Sequence, residues 1–451
     1  MRGSAQRALL SGLAALVFAA LVVAHARYVN GPDYWQWTWQ RRTDIAIVAI
    51  FLFLAAGPAF IGYASRKIVL IALSVIVLQF TANEIQTPIR SLTRIDAVAH
   101  NQLTTSYFTV AESIVKANGI DWLAQYDQLL RLAPQHATTK PPGPVAFYVM
   151  LIRAAGAKHA PLVIAIAISL LSACGVIVTW WAVKRIAGED AALIAATLLA
   201  LSPSMTLFFL YLDPVYPIFS MAMLGTWYVA LERESRPAAL AFGFILFLTT
   251  MTGYTLLVVG LVLGAMTIPF LKKRSTYAFT AIAIGVAVAC HALFALVTGF
   301  NPISAFRTAL AMQAYQLPLL HRPWPKTIPF DVLDFFLGIG WAPLVPAIFG
   351  LTKRRWISIA CFALPFIIAL TGLIQAETAR VWIFMMPLFF VPAALEMETW
   401  TPRERFASFA AQIIVLIALY ANMVFIEPAA RTAPTIRNHA AFESHSAAGR
   451  S

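Results

Sequence analysis

Ionisable groups are costly inside apolar sequence, so those found there or at its edges are the first candidates for chemistry. In this chain they are Glu84, Asp213, His291, Glu377 and Arg380. Glu377-Thr378-Ala379-Arg380 forms a very short turn between two apolar runs. A spacing of three puts Glu377 and Arg380 on one face of a helical turn. The pattern is either a local ion pair that closes the turn or a guanidinium oriented for a phosphate, whose oxygens match its planar fork. Asp213, in Tyr211-Leu212-Asp213-Pro214, is either a helix cap before a proline or a site carboxylate. His291 stands alone in an apolar run and reads as a hydrogen-bonded core histidine.

A second candidate stretch is His136-Ala137-Thr138-Thr139-Lys140-Pro141-Pro142-Gly143-Pro144. Its three prolines fix φ and supply no N–H, so the backbone is stiff. Gly143 permits a positive φ or the close approach of another group. The stretch is either a rigid binding corner or a plain helix start, where proline is common.

The elements that must position these residues are set by composition. Of 451 residues, 60% are hydrophobic and 12% charged, and the mean hydropathy is +0.75. That balance excludes a soluble domain and means a polytopic membrane protein. The net charge of +13 does not point to nucleic acid, because the cations cluster in short loops between apolar runs. Cys174, Cys290 and Cys361 each lie in an apolar run, which argues against a disulfide framework or a zinc site. No metal or cofactor is called for by the residue pattern. The opening run from Ala8 to Ala26 is read as a retained first span rather than a cleaved leader.

About 13 spans are expected at roughly 20 residues each. They cover 8–26, 44–63, 68–83, 161–183, 190–209, 214–231, 238–252, 254–271, 277–298, 329–350, 356–374, 381–395 and 406–426. The pair around Gly253 reads as two spans or as one long tilted span. Asp33-Tyr34-Trp35-Gln36-Trp37-Thr38-Trp39 reads as an interfacial aromatic belt. Residues 84–160 form a polar loop with its own surface helices. In it Tyr107, Val110, Ala111 and Ile114 share one helical face, Asn118-Gly119 stops that helix, and Asp121 can cap the next. The run Val145 to Ala155 is too short to cross. Residues 1–426 make one transmembrane domain, and 427–451 is a polar tail expected to be disordered. Seven basic clusters, from Arg2/Arg7 through Arg66-Lys67, Lys184-Arg185, Arg233/Arg236, Lys272-Lys273-Arg274 and Lys353-Arg354-Arg355 to Arg403/Arg405, fall on one side in this count. The positive-inside rule makes that side cytoplasmic and puts the long polar loops outside.

Taken together, Tyr107-Phe108 with Ala111, Trp122-Leu123 with Tyr126, His136, and Thr139-Lys140-Pro141-Pro142-Gly143-Pro144 resemble the first external loop of bacterial GT-C superfamily glycosyltransferases. Val183-Lys184-Arg185-Ile186-Ala187-Gly188 and Glu377-Thr378-Ala379-Arg380-Val381-Trp382, with Phe384 and Pro387, are similar to that family too. The features run from about residue 100 to 390. Two positions depart from the pattern. Lys140 stands where the family has His, and Leu103-Thr104-Thr105-Ser106 lacks the carboxylate that there precedes the Tyr.

The resemblance implies an all-α GT-C-like bundle in the plasma membrane with an extracytoplasmic catalytic loop. It would move a sugar from a polyprenyl-phosphate donor to a glycan, lipid or protein acceptor. On that reading Asp96 is the first candidate base, Glu84 the second and Asp33 the third. Arg380 and Lys140 would hold the phosphate, His136 would bond sugar or phosphate, and Glu377 would orient Arg380. Tyr107 and Asp213 complete the expected binding set. The alternatives are a transporter or lipid flippase, and a membrane scaffold.

Overall fold

The computed structural model describes residues 2–26, 29, 37–39, 44–86, 91–119, 121–134, 136–319, 322, 324–353 and 355–424. Asp33, Tyr34, Trp35 and the tail 427–451 lie outside them. The described residues are helical apart from loops and one two-stranded antiparallel ladder, Thr38–Trp39 against Met423–Val424.

Seven helices are long and apolar enough to cross a membrane: Gly3–Val23, Ile45–Ala64, Ile68–Ile85, Ala160–Ala187, Asp213–Glu232, Arg274–Thr298 and Pro402–Asn422. The pair Ile328–Ile339 and Leu344–Gly350 adds an eighth if counted as one span, bent by 102°. The bend falls where Gly340 and Trp341 both take positive φ (84° and 58°) ahead of Pro343. The chain is therefore a multi-pass membrane protein, but helices of full spanning length do not reach the expected count of 13. Shorter apolar helices of 10–17 residues account for part of the difference, among them Arg236–Thr252, Tyr254–Phe270, Trp356–Thr371 and Ile383–Met397. The expected span at 190–209 is a 12-residue helix, Glu189–Ala200, followed by a short one, Pro203–Leu207. Residues 191–200 are buried on every side, and so is the whole of Met386–Met397. Apart from Glu189-Asp190 at the start of the first and Glu396 near the end of the second, both helices are apolar on every face, and such helices belong inside a bundle.

The ambiguous segment around Gly253 resolves as a hairpin. Lys273 Nζ lies 3.1 Å from Glu234 Oε1, so the start of the first helix and the end of the second meet on one side. Other basic clusters join by contacts of the same kind. Arg7 and Lys353 both reach Glu396, at 2.6 and 3.1 Å. Arg405 donates to the Tyr63 hydroxyl at 2.8 Å, and Arg66 pairs with Asp190 at 2.7 Å. Lys184 pairs with Glu189. These contacts gather basic clusters hundreds of residues apart at one end of the bundle.

The 84–160 segment holds the helices Ser91–His100, Gln102–Lys116, Tyr126–Leu132 and Pro142–Ala155. Tyr107, Val110, Ala111 and Ile114 are all buried, as their spacing predicts. Asn118 takes φ 51°, and the Gly119 N–H closes the helix on the Ile114 carbonyl at 3.0 Å. The next helix starts at Tyr126, with Gln125 rather than Asp121 at its cap. Trp37 corrects the aromatic-belt reading. It is 3% exposed and donates to Asp334 at 2.7 Å, because a buried indole N–H takes a polar partner when one is near.

Candidate active site

The site is built from the corner at 136–144, the turn at 376–380 and the segment 211–216. Two side chains pin the first to the helix Tyr126–Leu132. The Thr138 hydroxyl donates to the Leu130 carbonyl, and the Tyr126 hydroxyl donates to the Lys140 carbonyl at 2.9 Å. Pro141 precedes the helix at φ −68°, and Pro142 opens it. Gly143 serves by close approach and not by a positive φ. A Cβ there would overlap the Met251 carbonyl at the end of Arg236–Thr252. The corner therefore fits only a residue without a side chain at that point.

The turn at 376–380 is held against its own preference. Ala376 and Glu377 both take left-handed φ, 61° and 54°, which costs a non-glycine residue about 1–3 kcal/mol. Two buried acids, one turn apart on Ile328–Ile339, secure it. Asp331 Oδ1 accepts from the Ala376 N–H at 2.7 Å, and Asp334 Oδ2 accepts from the Ala379 N–H at 2.8 Å. The Thr378 hydroxyl also donates to the Asp331 carbonyl. So framed, Glu377 pairs with Arg380 and with Arg322, the second at 3.3 Å. Arg322 is tied in turn to the Gln375 carbonyl at 2.9 Å. Arg380 is 5% exposed, and its guanidinium stands 5.0 Å from the centre of the Tyr211 ring, a cation–π distance.

Asp213 lies within electrostatic reach of Arg380, Lys140 and Glu377. Tyr107 lies within reach of Asp213 and Arg380. Burial would raise the Glu377 carboxyl, but Arg380, Arg322 and His136 outweigh it and hold it below the usual range. Burial pushes the Lys140 ammonium below its ordinary range, against the pull of Asp213 and with the help of Arg380. The cluster thus combines three fixed or poised cations with two carboxylates. Such a set can bind a phosphate and still offer a carboxylate to a neighbouring proton.

Of the residues expected from sequence, the structure brings together His136, Lys140, Tyr107, Asp213, Glu377 and Arg380. Asp96 is not among them. Its side chain is 61% exposed and lies 3.4 Å from His100, one turn on. Glu84 is exposed near the end of Ile68–Gln86, and Asp33 falls outside the described residues. His291, half-buried, bonds the Thr250 hydroxyl at 2.8 Å, as a hydrogen-bonded histidine in an apolar run would. Arg322, Asp331 and Asp334 were not anticipated. The two acids carry a signal, being charges at a spacing of three inside the apolar run 329–350. Arg322 carries none, since its partner is 55 residues away.

No protein-family model and no curated protein matches the sequence. Among solved structures the chain is similar to apo ArnT from Cupriavidus metallidurans. The TM-score is 0.51 at 15% identity, covering 75% of this chain and 61% of that one. It is also similar to the apo oligosaccharyltransferase of Archaeoglobus fulgidus. There the TM-score is 0.50 at 13% identity, covering 78% of this chain and 56% of that one. The chain thus spans less than two thirds of either neighbour. What the two share with it is the arrangement of helices, and the chain has the fold seen in both.

Proposed function

We propose that the protein transfers a sugar from a polyprenyl-phosphate donor to the hydroxyl of an envelope acceptor on the extracytoplasmic side. The observation that carries this reading is Arg380, paired with Glu377 on a turn locked by Asp331 and Asp334 and set 5.0 Å from the ring of Tyr211, two residues before Asp213, with Lys140 and Asp213 in electrostatic reach. The site also lies beyond the far end of the 17-residue helix Arg355–Thr371 from Lys353 and its basic cluster, about 25 Å along the axis.

In the proposed step Lys140 and Arg380 hold the donor phosphate. The acceptor oxygen attacks the anomeric carbon and forms the new glycosidic bond. The bond from that carbon to the phosphate oxygen breaks, and its electron pair leaves with the polyprenyl phosphate. The acceptor proton passes to Asp213. Phosphate is a stable leaving group and needs little protonation, so the main demands are a base near the acceptor and cations where charge develops. Asp213 is preferred to Asp96 as base because it shares the site with those cations.

The test is purified protein in liposomes with decaprenyl-phosphoryl sugars and water or an alcohol as acceptor. Release of decaprenyl phosphate is expected. Movement of the lipid across the bilayer with no cleavage would replace this reading with a flippase.

Lys140 sets a pH dependence. Its pKa is lowered, so the neutral amine appears at a lower pH than in a free lysine. Donor affinity is expected to fall as pH rises through that value. In Lys140→Arg, whose charge does not titrate in this range, the alkaline fall is expected to disappear. A wild-type affinity flat from pH 6 to about 10, the ordinary lysine value, would remove Lys140 from the phosphate site.

A further inference from the structure

We propose that the Tyr148 hydroxyl is a sugar-binding group of this site, one that bonds a hydroxyl of the transferred sugar and not the phosphate. This rests on the glycosyl-transfer reading above.

Tyr148 sits on Pro142–Ala155, two turns beyond Lys140, and is 1% exposed. Packing accounts for its ring, which lies 6.1 Å from that of Tyr107, 6.3 Å from that of Phe108 and 5.5 Å from that of Phe147. Packing does not account for its oxygen. The hydroxyl is buried and has no hydrogen-bond partner among the described residues. An orphaned buried hydroxyl is destabilising, and a phenylalanine would fill the same space without that cost. A partner from outside the chain removes the anomaly.

The surroundings indicate which partner. Tyr148 is within electrostatic reach of Asp213. Its ring neighbour Tyr107 is within reach of Asp213 and Arg380. The guanidinium of Arg380 is itself paired with Glu377 and set against the Tyr211 ring. A phosphate belongs with the guanidinium. The group next to the carboxylate is the sugar ring and the acceptor oxygen attacking it. A phenol both donates and accepts, which suits a sugar hydroxyl.

The experiment uses the full chain in nanodiscs, with decaprenyl phosphate and its glucosyl, mannosyl and arabinosyl esters as probes. Wild type is expected to bind one ester more tightly than decaprenyl phosphate. Tyr148→Phe is expected to bind decaprenyl phosphate as wild type does and to lose about tenfold on the preferred ester. Its melting temperature is expected to stay level or rise, since a costly group is removed. Tyr148→Phe that keeps the full preference for the ester overturns the proposal, and so does a melting temperature several degrees lower, which would mean an internal partner. Wild type that binds decaprenyl phosphate but prefers no ester also overturns it and leaves the phosphate site standing. Wild type that binds none of the probes overturns the glycosyl-transfer reading and this inference with it.

Discussion

Asp213→Asn is expected to lower sugar transfer by about 10²–10⁴-fold, the usual worth of a positioned base. The amide keeps the size and shape of the carboxylate but cannot take a proton. Lys140, Arg380 and Glu377 stay in place, so donor affinity should change far less than turnover. Asp96→Asn is the paired control. Its carboxylate is exposed and lies beside His100, and transfer is expected to remain near wild type. Single-turnover release of decaprenyl phosphate separates the two. Loss of transfer in Asp96→Asn with retention in Asp213→Asn would move the base back to Asp96.

Asp334→Ala is expected to damage both stability and donor binding. One carboxylate oxygen accepts the Trp37 indole N–H and the other the Ala379 N–H. Removing both acceptors leaves two buried donors unpaired, at about 1–3 kcal/mol each. It also removes one of the two acids that hold the turn in which Ala376 and Glu377 take unfavourable φ, leaving Asp331 to hold it alone. Held at one end only, that turn presents Arg380 less precisely, and a guanidinium without fixed geometry loses much of its advantage for phosphate. A lower melting temperature and a raised donor KM are expected together. Asp334→Asn keeps one acceptor and should fall between. A variant that melts like wild type and binds donor equally would show that the turn is rigid without this anchor.

Much of the fold can be read from sequence because the bilayer imposes simple lengths. Long apolar runs, basic clusters on alternate loops and one polar segment locate most of the helices and bring the basic loops to one end. Reading fails where a helix is wrapped by protein instead of lipid. Glu189–Ala200 and Met386–Met397 are apolar on every face away from their charged ends, so hydropathy marks them as ordinary spans though they are far shorter. The site divides in the same way. Glu377 and Arg380 are neighbours in sequence, and their pairing follows from spacing. Lys140, Asp213 and Arg322 meet only through tertiary packing, and no local pattern ranks Asp213 above Asp96. Tyr148 is hidden differently: its ring suits an apolar helix, and only the geometry exposes its oxygen as unpaired.

The two-residue ladder between Thr38–Trp39 and Met423–Val424 bears on when the site can form during synthesis. Trp37, adjacent to one strand, reaches Asp334, and Asp334 anchors the turn that carries Arg380. The other strand follows directly on the helix Pro402–Asn422. Thr38–Trp39, though made early, therefore cannot take its final seat until the helix Pro402–Asn422 has been made and inserted. A nascent chain halted before that helix is expected to hold its earlier spans in the bilayer yet fail to bind decaprenyl phosphate, so that binding competence arrives in one step once that helix is in place.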